Sequence, residues 1–300
     1  MRVGYACVNT QLPSATRTLR LANVNDERLR ELVAANLDAL ETILRWNLEH
    51  DIRVFRLSSE TVPFGSHAAN TLRWWEELAG RFAELGALLR EGAMSISTHP
   101  GQFTVLGSPE ERFVAASVAE LDYHARLLEA FGLDGSHKIV VHAGGVYGDA
   151  SAAAERFARA FARLSPAARA RLVLENDERW SLADVLPLAR RIGVPVVFDV
   201  FHHELRPSLP ELAVREAVLL AAETWGPGDG RQELHFSTQE PGRRAGAHSE
   251  TIDLDAFARF ADEVGDLELD CVLEVKDKER SALRARELLT GRPAVGPRSP

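Results

Sequence analysis

Apolar residues along this chain fall into eight short runs separated by longer amphipathic stretches. The runs cover residues 3–7, 54–57, 94–98, 139–142, 172–175, 194–199, 234–237 and 271–275 and are rich in β-branched side chains. Continuous apolar runs of that length are what strands covered on both faces require. Between them the helical spacing of apolar positions predicts helices over about 26–50, 71–91, 109–131, 151–164, 182–192, 211–224, 253–264 and 278–289. Start signals precede three of these: Asn25-Asp26 before Arg28, Ser108-Pro109 before Glu110, and Asp253 before Leu254. Gly132, Gly193 and Gly265 follow three of the helices, where a C′ glycine belongs.

Eight strand–helix units in 300 residues predict a single-domain (β/α)8 TIM barrel over 1–289, not an open doubly wound sheet. The segment 290–300 is dense in proline and glycine and is expected to be a disordered tail. No run of eighteen apolar residues predicts a membrane span, and the opening MRVGYACVNTQ lacks the apolar core of a signal peptide. The two cysteines, Cys7 and Cys271, form no metal or disulfide framework. A cytoplasmic protein is expected, acting near the nucleoid if DNA is its partner.

A net charge of −9 argues superficially against a nucleic-acid partner. Carboxylates gathered to hold cations would count in that sum and be offset by the metal. Lysine occurs only at 138, 276 and 278, so arginine supplies nearly all the positive charge.

In such barrels chemistry sits at the carboxyl ends of the strands. There the sequence places His99 after strand three, His142 at the end of four, and Glu175 at the end of five. Strand six ends in Asp199, followed by His202 and His203; strand seven carries Glu233 and His235, with His248 beyond; strand eight supplies Glu274 and Lys276. A lone histidine at a strand end is more often a hydrogen-bonded structural residue than a ligand. Buried Glu175, Asp199 and Glu274 converging without cations, however, would repel one another and lose solvation. Imidazole and carboxylate together suit Mn²⁺ or Zn²⁺, and two or three close cations can bind a phosphate, generate hydroxide and stabilise a leaving oxygen. His50 and His124 in helices and His137 before strand four are expected to be solvated or locally paired.

The ordered segments Gly4-Tyr5-Ala6-Cys7-Val8-Asn9, Thr18-Leu19-Arg20, Phe55-Arg56, His99-Pro100-Gly101-Gln102, Leu174-Glu175-Asn176-Asp177, Asp199-Val200-Phe201-His202-His203, Gly246-Ala247-His248 and Glu274-Val275-Lys276 resemble the UV damage endonucleases, over about residues 2–280. The resemblance implies a barrel enzyme related to endonuclease IV. It would recognise cyclobutane dimers and 6–4 photoproducts in duplex DNA and cut the phosphodiester immediately 5′ to the lesion, with no ATP. It implies two or three divalent cations, Mn²⁺ first with Zn²⁺, Co²⁺ or Mg²⁺ as alternatives, held by His99, His142, Glu175, Asp199, His202, His235, His248 and Glu274. The family's histidine after strand two corresponds to His67, and His203 is expected behind the ligands.

From the same resemblance, Glu175 bridges cations, Glu274 lies near the nucleophile, and Lys276 holds phosphate or pairs with a carboxylate. Gln102 and Phe103 would wedge into the base stack while Tyr5 and Asn9, on the loop after strand one, contact the extruded lesion. Arg20 and Arg56 are phosphate contacts, with surface salt bridges as the alternative. Two positions depart from the family pattern. Glu233 stands where lysine is common, and either ligates a cation or changes the electrostatics of its neighbours. Phe103 stands where tyrosine is usual and keeps the stacking face without the hydroxyl.

Three rival readings remain: an abasic-site endonuclease, a metal-dependent sugar isomerase or epimerase, and a lesion-binding protein that does not cut. A monomer is expected.

Overall fold

The computed structural model describes residues 1–207 and 212–291. Eight strands close into one parallel barrel in chain order. They are β1 (Arg2–Ala6), β2 (Val54–Leu57), β3 (Ser95–Thr98), β4 (Lys138–His142), β5 (Leu172–Glu175), β6 (Val196–Asp199), β7 (Gln232–Phe236) and β8 (Leu269–Leu273). The ring is sealed by β8 against β1, with Tyr5 beside Leu273.

The helices pack their apolar stripes on the outside of this ring. They are α1 (Asp26–Glu49), α2 (Trp74–Glu77), α3 (Ala79–Glu91), α4 (Glu111–Ala130), α5 (Ala150–Phe161), α6 (Pro166–Arg171), α7 (Leu182–Ile192), α8 (Val200–Leu205), α9 (Val214–Ala222), α10 (Leu254–Val264) and α11 (Glu279–Thr290). Among the described residues no helix is long and apolar enough to cross a membrane.

Several expected elements shift. The helix expected over 71–91 starts at Trp74 and breaks at Leu78, which leaves the helical basin at φ −111° and ψ 18°. Before it, Asn70 accepts from Leu72 N and donates to Pro63 O, which holds the chain extended. Two short helices were not expected. Ser165 caps α6 with Pro166 in its first turn, and Asp199 caps α8 through His202 N at 2.6 Å. Ser108 does not cap α4, because its hydroxyl closes a turn onto Glu110 N instead. Gly193 does adopt the left-handed C-cap, at φ 72°, whereas Gly265 ends α10 in a right-handed conformation. From residue 292 onward the expected tail lies outside the described residues, as do residues 208–211 near the expected start of the helix before strand seven.

Alternation along the strands decides what the barrel interior holds. Two small apolar clusters, Ala6–Val54–Val272 and Val140–Val173–Val197, are separate from the main core. Val140, Val173 and Val197 each precede His142, Glu175 and Asp199 by two residues, so they share a face and floor the polar site above. Strand seven begins two residues earlier than its apolar run suggests, which sets Glu233 inside a strand. Strand eight ends at Leu273, so Glu274 and Lys276 lie on the loop that follows.

Candidate metal centre

Glu175, at the last position of β5, is 1% exposed and stands at the middle of the rim. Its Oε2 lies 3.0 Å from His99 Nε2 and 3.6 Å from His142 Nε2. Its other oxygen, Oε1, lies 2.6 Å from His235 Nδ1. The same imidazole nitrogen is 3.4 Å from Glu274 Oε1 and 4.0 Å from Asp199 Oδ2. Two groups result, each with its ligand atoms mutually within 4.8 Å: His99, His142 and Glu175, and Glu175, Asp199, His235 and Glu274. Glu175 belongs to both.

Strand six ends at this rim with its geometry fixed locally. Asp199 Oδ1 caps α8, and Asn176 grips the Asp199 backbone with a donated and an accepted bond of 3.0 and 2.9 Å. That leaves Asp199 Oδ2 buried without a hydrogen-bond partner, and His142 Nδ1, His202 Nδ1 and His248 Nδ1 are in the same condition. Orphaned buried donors and acceptors of this kind are costly unless something else satisfies them. Asp199 Oδ2 belongs to the second ligand group, and a buried carboxylate oxygen left over beside imidazoles and further carboxylates is a donor set that divalent cations fit. His202 and His248 flank the second group: their rings are 5.9 Å apart, both pack on Phe201, and His248 Nε2 is 3.8 Å from Glu274 Oε2.

The electrostatics point the same way. Burial, joined by repulsion from Glu175 and Glu274 and opposed by His202, pushes the Asp199 carboxyl up to about 7. Burial also resists ionisation of Glu175, yet His235 and His142 hold it well below the usual range. For Glu274 the same burial is overcome chiefly by Arg56, then His235. His142 and His248 are lowered, in each case mainly by burial, which keeps their nitrogens free to ligate. Burial opposes charge on His235, but the Glu175 carboxylate raises it to about 10.

Arg56 is the unexpected member. It was expected as a phosphate contact or a surface salt bridge, but it is only 5% exposed and points into the barrel. Its guanidinium donates to Glu274 Oε1 at 2.6 Å and lies 2.6 Å from His235 Nε2. Burial works against its charge, and Glu274, Glu233 and Glu175 more than reverse that. The contact to Nε2 needs a neutral His235 that donates from Nδ1 to Glu175. That is at odds with a raised His235, and both cannot hold in one state. A proton on Nε2 would face the guanidinium and turn instead to Glu233 Oε1, 3.0 Å away. Glu233 is therefore placed on the outer edge of the ring, outside both ligand groups, where Ser97 Oγ donates to it at 3.0 Å.

Other expected residues fall elsewhere. Tyr5 is a correction: it lies within β1, not on the loop, and is fully buried with its hydroxyl donating to Asn47 Oδ1 at 2.7 Å. Asn9 is 4% exposed and donates to that same hydroxyl at 3.1 Å. Both shape the β1 loop from beneath, and neither offers a face to a lesion here. Lys276 ion-pairs with Glu250, the structural alternative of its two expected roles. His67 is exposed and accepts from Ala69 N, outside both ligand groups. His203 packs its ring on Phe198, 5.1 Å between centroids, behind α8. Gln102 and Phe103 are exposed on the loop after β3, Phe103 at 84%, and Arg20 is exposed on the loop after β1. His50 and His124 have local partners, Trp46 O and Glu120, whereas His137 accepts from Ile96 N on the neighbouring strand β3.

Sequence reasoning passed over Asp177 and Glu178. Asp177 Oδ2 is 3.5 Å from His142 Nδ1, and Glu178 Oε1 is 3.5 Å from His202 Nδ1. The Glu-Asn-Asp-Glu run after β5 carried the signal, since four polar residues at one strand end crowd a single rim position.

Comparison with known proteins gives the family and the fold. The model of the family described as UV-endonuclease UvdE matches residues 1–295. The chain belongs to that family. It is 34% identical over 287 residues to a UV DNA damage endonuclease of Clostridium perfringens, covering 95% of this chain and 69% of that protein. The crystal structure of SacUVDE superposes with a TM-score of 0.92 at 38% identity, over 97% of this chain and 98% of that one. Endonuclease IV from Thermus thermophilus (TM-score 0.58, 13% identity, 97% and 98% covered) and an L-ribulose 3-epimerase (0.61, 16%, 96% and 93%) share the fold alone.

Proposed function

We propose that this family member is a DNA repair endonuclease that cuts the phosphodiester immediately 5′ to cyclobutane dimers and 6–4 photoproducts, using two or three divalent cations, Mn²⁺ first among them. The sharing of Glu175 between two ligand groups carries the multi-metal part of this reading. Membership of the UV-endonuclease family carries the substrate. Both ligand groups are drawn from one chain, which supports a monomer; the reaction is a hydrolysis and would need no ATP.

His99, His142 and Glu175 would hold one cation, and Glu175, Asp199, His235 and Glu274 a second; His202 and His248 border the latter. Bound there, the cations supply positive charge against the phosphate and a nucleophile near neutral pH. The chain's own residues do the rest. Asn176 and the α8 cap fix Asp199 Oδ2 toward the second group. Phe201 holds the His202 and His248 rings in place. With a cation at Nδ1, His235 would carry its proton on Nε2 and donate it to Glu233 Oε1, in place of the Arg56 contact there. Exposed Phe103 and Gln102 would fill the gap left in the stack when the weakly paired lesion leaves it.

The sugar epimerase shares only the barrel, and an exposed aromatic beside an open rim is poorly suited to enclosing a small polyol. The deciding experiment is a nicking assay on UV-irradiated supercoiled plasmid with Mn²⁺ or chelator. Nicking that needs both irradiation and Mn²⁺ is expected, with Glu175→Ala folded and inactive. Equal nicking of unirradiated plasmid, or activity in chelator, would sink the proposal. Cutting of an abasic oligonucleotide but not a dimer-containing one would favour the abasic-site reading.

A further inference from the structure

A second cleft lies outside the ligand rim, between α4 and α5. It has a volume of about 350 Å³ and is lined by Leu106, Ser108, Pro109, Glu111, Arg156 and Arg159, with Arg163 at its edge. Arg156, Arg159 and Arg163 recur at helical spacing, so α5 and its continuation present three guanidinium groups to one side. Among the described residues one of them forms a salt bridge: Arg163 pairs with Glu111 at 2.7 Å. Arg159 is exposed and makes no ion pair within 4 Å among the described residues; Glu155 on the same helix feels its charge but is hydrogen-bonded to Arg191. Arg156 is held by a bond from its Nε to Gly107 O at 2.7 Å, while its Nη2 is buried without a hydrogen-bond partner. Tyr147, 47% exposed at φ 52° on the loop after β4, stands over Arg156 with the guanidinium 5.6 Å from its ring. Gly145 lies beneath that ring, where a Cβ would stand about 3.0 Å from it and displace it slightly.

The cleft neighbours the rim along one loop. The loop after β3 lines the rim with Gln102, Thr104 and Val105 and lines the cleft with the next residues, Leu106 and Ser108. Neighbouring Cα atoms are about 3.8 Å apart, so the two openings are separated by a few residues of one loop. A guanidinium held in place at the cleft wall, a second that is exposed, and an exposed aromatic are groups that a phosphodiester backbone can meet.

We propose that this cleft binds backbone phosphates of the DNA flank that runs outward from the rim over the β3–β4 side, with Arg156 and Arg159 as phosphate contacts and Tyr147 bracing Arg156. The proposal rests on DNA being the substrate. It gives a chain of net charge −9 a local positive track. Each phosphate neutralised contributes about 0.9 to the slope of log affinity against log salt.

The test compares wild type with Arg159→Ala, Arg156→Ala and the double variant, all Mn²⁺-loaded. Binding to an undamaged duplex is measured across a salt series, and kcat and KM on a lesion duplex alongside. The double variant should lower the salt slope by about 1.8. It should raise KM and leave kcat unchanged. Truncating the duplex on one side of the lesion should erase the difference from wild type, and truncating the other side should not. Arg159→Ala removes an exposed side chain, so it remains informative should Arg156→Ala unfold. An unchanged slope in folded Arg159→Ala and double variants overturns the proposal, as does a deficit that survives both truncations. Inorganic phosphate bound at Arg156 with the DNA slope unchanged also overturns it. Wild type that fails to cut UV-irradiated DNA, with the slope change intact, would overturn the repair function and leave the cleft standing.

Discussion

Glu233 Oε1 lies 3.0 Å from His235 Nε2, on the edge of the ring opposite the one that faces Glu175. The two residues are i and i+2 on β7, so both point into the barrel. A carboxylate behind a ligating imidazole fixes its tautomer and strengthens it as a donor. Removing such a partner typically weakens metal affinity by roughly 10–100-fold. Glu233→Ala should therefore bind Mn²⁺ about 10–100-fold more weakly by calorimetric titration, and Glu233→Gln, which keeps an acceptor oxygen, less so. Unchanged affinity in Glu233→Ala would remove Glu233 from the site; loss of a whole equivalent of metal would make it a ligand.

Arg56 is the only arginine that reaches the ligand carboxylates among the described residues, through Glu274 and beside His235. Without cations it is the first of the charges that hold Glu274 ionised against burial, ahead of His235. Breaking a buried pair from one side costs about 3–5 kcal/mol. Arg56→Ala should therefore melt well below wild type in chelator at neutral pH. Added Mn²⁺ should recover much of that loss by supplying the missing charge. Equal melting of the two proteins in chelator would show that Arg56 has no such role.

Asp199 gives the site a pH dependence with a definite sign. Its carboxyl is raised from 3.8 to about 7, mainly by burial. The native state thus holds a proton that the unfolded chain releases above about 4. Metal-free stability should fall as pH rises from about 4 to 7, and then level off. Cation binding must expel that proton, so affinity should rise over the same range, with proton uptake by the buffer near pH ~6. Calorimetry in buffers of different ionisation enthalpy reads this directly. In Asp199→Asn the fall in metal-free stability should vanish; a slope that persists would assign the proton to another group.

Much of the barrel and its rim could be read from the chain because parallel strands are buried on both faces and end where function is placed. Hence His99, His142, Glu175, Asp199, His235 and Glu274 were all found by position, and they do meet. The errors have physical causes. Strands seven and eight start early with Gln232, Glu233 and Asp270, polar residues that an apolar run excludes but that are satisfied inside by Val218 O, Ser97 and Arg2. The α8 helix was hidden because Val200 and Phe201 continue the apolar pattern of β6, and only the Asp199 cap turns the chain. Arg56 meets Glu274 across 218 positions of sequence, and no local pattern announces a contact through the barrel interior. Tyr5 was misplaced by a motif that fixes identity but not direction. Its neighbour in space is Asn47 on α1, with Phe55 edge-on at 5.1 Å.

Phe103 separates recognition from folding. At 84% exposure it contributes little to the core, so Phe103→Ala should change stability by no more than about 0.5 kcal/mol. Stacking of a base on an aromatic ring is worth about 1–3 kcal/mol. Through RT of about 0.59 kcal/mol, that range corresponds to roughly 5–150-fold in affinity. Phe103→Ala should lose affinity for a dimer-containing duplex within that range, while its weak binding to undamaged duplex, dominated by phosphate contacts, stays near wild type. Phe103→Tyr should keep the stacking and bind at least as well as wild type. Competition binding with the two duplexes measures the ratio. An equal loss on damaged and undamaged DNA would mean that Phe103 touches the backbone and does not enter the stack.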